Sequence, residues 1–126
     1  MSSIPKKVRD IVLDRAQGRC EGCGACAELE LHHRKFRSRG GEHTASNLVA
    51  LCGWGNHTGC HGNAHASTTA ARRGWAVNSW NDPTVIPFQS WSGWWELHDD
   101  GSRNLLNAGI AQERIATFVG PVRTGV

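Results

Sequence analysis

The apolar positions of this chain change their period several times, and each change marks an element. Val8, Ile11, Val12 and Ala16 recur at helical spacing between Pro5 and Gly18. Steps of three and four put them on one face, Pro suits a first turn and Gly an end, so an amphipathic helix is predicted over Lys6 to Gln17. Cys20 to Cys26 is a turn-rich knuckle. Leu29 to His33 and Asn47 to Leu51 are short segments suited to strands, separated by the polar loop Arg34 to Ser46 with its Gly40-Gly41 pair. Gly53 to Gly59 is a second loop, and Cys60 to Arg73 suits a helix that ends at Gly74. Trp75 to Val77 and Val85 to Phe88 read as strands around the turn Asn81-Asp82-Pro83, and Trp91 to Leu97 reads as another, closed by Asp99-Asp100-Gly101. The tail from Asn104 has one weak helical patch, Ile110 to Phe118, read as loosely packed or disordered.

With 126 residues, 39% of them hydrophobic, the chain fits one small domain with a modest extension. It is rich in glycine, with 15 copies, and a loop-rich chain of this size buries a limited core, which leaves a place for an extra staple. The cysteines supply one. There is no signal-peptide pattern and no apolar run of the ~20 residues that a membrane span needs. The chain therefore reads as cytoplasmic, where clustered cysteines bind metal more often than they form disulfides. Their number, five, is odd, which also disfavours complete pairing.

Cys20 and Cys23 form a C-x2-C pair, which sets two thiolates around one ion across a tight turn. Cys52 and Cys60 complete a tetrahedral set for structural zinc, although seven residues separate them. Two alternatives remain open at this point: Cys26 or His57 in place of one of the four. The histidines form another group. His61 and His65 stand at i and i+4, so a helix presents both imidazoles on one side. His32 and His33 are adjacent on an extended segment and point to opposite faces, so they take different roles.

The order Leu31-His32-His33, then Asn47-Leu48-Val49-Ala50-Leu51-Cys52, then Cys60-His61-Gly62-Asn63-Ala64-His65 resembles the HNH, or ββα-metal, endonucleases. The zinc-stapled form is similar to small HNH proteins of bacteriophages. Gly74-Trp75-Ala76-Val77, Asp82-Pro83 and Asp99-Asp100-Gly101 match segments that commonly follow in those relatives. The resemblance implies an α+β fold: a ββα-metal core over 20–73, an N-terminal helix over 1–19, a Trp-rich β-hairpin over 74–103 and a tail over 104–126. It implies that His32, His61 and His65 ligate a catalytic divalent ion, that His33 is the general base, and that Asn47 braces the loop orienting His33. It implies hydrolysis of DNA phosphodiesters with magnesium, manganese, nickel or zinc at the catalytic centre. It also suggests a role in phage genome packaging beside terminase subunits, in the host cytoplasm.

Charge adds a substrate surface. Net charge is only +3, but Arg34, Lys35, Arg37 and Arg39 crowd into six positions directly after the expected base. Such a run reads either as a solvated surface loop or, placed here, as a grip on phosphates that does not read sequence, and Arg72 and Arg73 would add contacts from the end of the metal-bearing helix. A non-catalytic zinc knuckle that binds nucleic acid would need the cysteines and the basic loop but not His33. A purely structural or metal-sensing zinc protein would need no basic loop.

Overall fold

The computed structural model describes residues 3–55 and 57–120. Helix α1 (Lys6–Ala16) comes first, with Pro5 at its N-cap and Gln17 and Gly18 in left-handed conformations at its end. Its buried stripe, Val12 and Ala16, packs with Leu48 and Ala50. Strands β1 (Leu29–His33) and β2 (Leu48–Cys52) pair antiparallel, Leu29 opposite Cys52 and His33 opposite Leu48. Helix α2 (Gly59–Ala66) packs Cys60 and Ala64 against Val49 and Leu51 of β2. Knuckle, hairpin and α2 form the expected ββα core within a mixed α+β fold.

A buried ion pair ties α1 to this core. Arg15 donates to both carboxylate oxygens of Glu21, at 2.8 and 2.9 Å, and to the carbonyls of Ala45 and Leu48. Both side chains are almost fully buried.

Several elements differ from the sequence-based expectation. The helix expected over Cys60 to Arg73 ends at Ala66, because Ser67 is extended (ψ 136°) and its hydroxyl accepts from the Thr69 amide. Such local side-chain bonds compete with helix continuation. A 3-10 turn over Ala71–Arg73 follows. Trp75 to Val77 form no strand, only one isolated bridge between Val77 and Lys35. The expected strand over Val85 to Phe88 is displaced to β3 (Phe88–Ser90), and the hairpin is a three-stranded meander completed by β4 (Gly93–Leu97) and β5 (Arg103–Leu106). The tail is not loose up to Phe118. Asn107 caps α3 (Ala108–Phe118) by accepting from the Gly109 amide, and Ala111 and Ile115 pack with Val77, Ile86 and Trp94. The expected tail beyond residue 120 lies outside the described residues.

The join between core and extension is a buried guanidinium. Arg34 has no exposed surface. It donates to the backbone carbonyls of Gly74 (2.7 Å), Ser46 (2.8 Å), Pro83 (3.0 Å) and Ile86, and it lies against the Phe88 ring. Burial pulls its pKa down to about 9. The expectation that Arg34 contacts phosphate is therefore corrected: it is fully buried, and four of its five N–H donors bond backbone carbonyls of the fold. Arg34→Ala would strand three buried carbonyls and the half-buried one of Pro83, and should cost about 3 kcal/mol or more in urea unfolding, given ~1.5–3 kcal/mol for a hydrogen bond to a charged group. A loss under about 1 kcal/mol would contradict this account.

Candidate metal centres and cleft

The knuckle is shaped by backbone bonds. Cys20 N–H donates to Ala25 O and Gly24 N–H to Cys20 O, while Cys23 N–H points at the Cys20 sulfur at 3.4 Å. Across from it, the chain between Cys52 and Cys60 pinches shut. A Cβ on Gly53 would lie 2.0 Å from Thr58 O, and one on Gly59 would lie 2.6 Å from Gly53 Cα. Both glycines have positive φ, 114° and 64°. This close backbone approach brings Cys52 and Cys60 together despite the seven residues inserted between them, where a compact Leu-Cys-x2-Cys-His form would have two.

The sulfurs of Cys20, Cys23, Cys52 and Cys60 all lie within 4.8 Å of one another. Cys23 and Cys52 are 3.7 Å apart, against about 3.8 Å for the edge of a tetrahedron with ~2.3 Å Zn–S bonds. Burial pushes the Cys20 thiol up, but amide bonds from Cys23, Cys52 and Gly22 outweigh it and hold its pKa below the ordinary value. Burial and then the charge of Cys20 push Cys60 strongly up. Crowded thiolates of this kind need a cation to coexist, so the donor set fits zinc. Cys26 is exposed, and neither it nor His57 joins this group.

A second cluster lies between β1 and α2. The ligand nitrogens of His32, His61 and His65 also fall within 4.8 Å of one another, and their ring centroids form a near-equilateral triangle with edges of 5.0–5.1 Å. A small closing of the rings would let all three reach one ion at ~2.0–2.1 Å. Two of the three are oriented from behind. His32 is buried, and its Nε2 donates to the Trp75 carbonyl at 2.7 Å, which leaves Nδ1 to ligate. Burial first, and neighbouring imidazoles after it, pull His32 down to about 3, against the opposing bond to Trp75. Nδ1 of His61 lies 2.9 Å from Glu30 Oε1, which also accepts from the Gly55 amide at 2.6 Å. The His61 bond is the largest of the causes that hold Glu30 below the usual carboxylate range. His65, also lowered by burial, stacks on Phe36 with ring centroids 4.8 Å apart.

Sequence reasoning missed Glu30. The available signal was alternation: residues i and i+2 of a strand share a face, so Glu30 lies on the same side of β1 as His32.

His33 lines the same cleft, of about 470 Å³, with His32, His61, His65, Phe36 and Arg37. Its Nε2 shares a hydrogen bond with Nδ1 of His43 at 2.9 Å, so a second imidazole fixes its orientation. Burial, then the charges of His43, Arg37 and His61, pull His33 down to about 4. Asn47 is buried and clasps the loop between the strands. Its Oδ1 accepts from Lys35 N–H, and its Nδ2 donates to the carbonyls of Lys35 and Glu42.

The basic side chains divide. Arg37 lines the histidine cleft, and Arg39 lies exposed over the Phe36 ring at 4.5 Å. Lys35 faces a different cleft, with Glu42, Asp82 and Asp99. Arg72 donates to Gly120 O, and Arg73 lies 3.8 Å from the centre of the Trp75 ring; neither lines the histidine cleft.

A ββα core with four clustered cysteines and three converging imidazoles defines a scaffold with two sets of residues that could hold metal ions. Residues 20–67 match the family model of the HNH endonucleases, and this stretch of the chain is an HNH domain. The matched span contains the four clustered cysteines, His32, His33, Asn47, His61 and His65. No curated protein and no solved structure gives a match to the chain. Among the described residues, no helix is long and apolar enough to cross a membrane.

The two clusters predict different losses. Cys20→Ser should lower zinc content and thermal stability together, measured by metal analysis and a melting curve. A zinc-free variant as stable as wild type would refute the staple. Glu30→Ala should weaken Ni²⁺ binding to zinc-loaded protein about 10–100-fold in calorimetry, as loss of a carboxylate behind a ligating histidine does. Unchanged affinity would show that Glu30 does not orient His61.

Proposed function

We propose that the chain is a metal-dependent endonuclease that hydrolyses DNA phosphodiester bonds in the histidine cleft. The observation that carries this reading is the division of labour at β1: His32 joins His61 and His65, while His33 enters the same cleft but is held apart by His43. A binding module would need no second, separately anchored imidazole beside a ligand set.

The three imidazoles are neutral donors, so a divalent ion bound there would supply undiminished positive charge opposite the scissile phosphate. Their donor type suits zinc, nickel or manganese, and magnesium is the remaining candidate from the family resemblance. His33 is the general base. With Nε2 engaged by His43, Nδ1 is the nitrogen that takes a proton from the attacking water. Its lowered pKa keeps it neutral, and so able to accept, throughout the neutral range. Asn47 is a positioning residue, holding the backbone at Lys35 two positions beyond the base. Arg37 grips a phosphate beside the scissile one, with Arg39 next to it; these contacts fix register and carry no base information. The likeness to phage-encoded HNH proteins extends the reading to genome packaging in the host cytoplasm, with a terminase subunit as partner.

The test is plasmid nicking with added Mg²⁺, Mn²⁺ or Ni²⁺. His33→Ala should slow nicking by about 10²–10⁴-fold, the usual contribution of a positioned base, with fold and zinc content intact. Nicking at the wild-type rate would remove His33 from the mechanism.

A further inference from the structure

Trp54 is the one tryptophan of six that lies outside the 75–95 region, in the insertion between Cys52 and Cys60. It is 71% exposed, an unusual state for so large an apolar ring. One face is backed by His57, with ring centroids 5.7 Å apart and planes 27° from parallel. The pair is held by its backbone. Trp54 N–H donates to the Thr58 hydroxyl at 2.8 Å, and His57 N–H donates to Trp54 O at 3.2 Å. The His57 backbone also presses on α2, where a Cβ at Gly62 would lie 2.7 Å from the His57 carbonyl carbon.

The platform adjoins the histidine cleft. Gly55 N–H, immediately after Trp54, and Nδ1 of His61 meet the same oxygen of Glu30. No acidic residue occurs from Gly53 to Gly59, so nothing in the insertion repels a phosphate chain. Arg37 attracts one from the cleft itself.

We infer that Trp54, backed by His57, stacks on an unpaired base of the strand held in the cleft, so that the preferred substrate is DNA with single-stranded character at the cut. The inference rests on the reading of this cleft as one that holds nucleic acid. The geometry selects unpaired bases for a simple reason: within a duplex, both faces of every base are covered by neighbours. An exposed indole face gains its full contact only with a base free of that stack, and such stacking tolerates any sequence.

The test compares binding of a fluorescently labelled 12-nucleotide single strand and the matching duplex, by anisotropy, to zinc-loaded protein without added catalytic metal. Trp54→Ala should weaken single-strand binding at least about fivefold, the low end expected for one lost base stack, and duplex binding by less than about twofold. Trp54→Phe should restore most of the difference, because it keeps an aromatic face. Zinc content and a melting curve report whether each variant is folded. Equal weakening of both forms, or none of either, would overturn the stacking role. Wild-type protein that binds neither form would overturn the nuclease reading along with it, whereas normal wild-type binding with an unchanged single-strand to duplex ratio in Trp54→Ala would overturn the stacking alone.

Discussion

Across the β1–β2 hairpin Leu29 faces Cys52 and His33 faces Leu48, and this register decides where every candidate side chain goes. A strand alternates faces with a period of two, so a slip of one residue would exchange His32 and His33 and put His33 in the cluster with His61 and His65. The hairpin is pinned at both ends. At one, Cys52 meets the knuckle cysteines. At the other, Arg34 N–H donates to Asn47 O at 2.7 Å, and the Asn47 side chain closes the loop. The central asparagine of the motif is thus a register device as much as a loop brace.

The extension beyond the family match is coupled to this site rather than appended to it. Trp75 supplies the carbonyl that sets the His32 tautomer. Its ring is buried, and it would be within 2.9 Å of a Cβ on Gly22 in the knuckle; its indole N–H donates to the carbonyl of Gln89 in β3. Trp75 therefore links the meander directly to His32. Arg34 reinforces the join, because its carbonyl partners lie at Ser46 within the core and at Gly74, Pro83 and Ile86 beyond it. A planar fork with five donors suits this task better than a lysine, whose ammonium is a point charge.

The same arginine marks where sequence reasoning ran out. α1, both core strands and the grouping of cysteines and histidines were legible, because periodicity and spacing are local properties. Arg34 was not, since a basic run looks alike whether a member faces water or four carbonyls drawn from distant segments. The Ser67 helix stop had a visible cause in its hydroxyl, overridden by the expectation that Gly74 ended the helix. β5 and α3 were under-read because each has few core-facing residues: Leu105, Ile110 and Phe118 are exposed, and burial falls on Ala111 and Ile115. In that region tertiary packing, with Trp94 and Val77, supplies what local pattern lacks.

The insertion between Cys52 and Cys60 shows how such a core accepts change. Loop closure costs little extra as a loop lengthens, provided its ends can still meet. Here they meet because Gly53 and Gly59 allow a backbone contact that any side chain would block. The ligand geometry of the cysteine centre is therefore insulated from the loop's length. The loop is not insulated from the other centre, because Gly55 donates to the carboxylate behind His61. An added segment that leaves the staple intact while touching the support of a candidate catalytic ligand is well placed to alter what the cleft holds without disturbing how the domain folds.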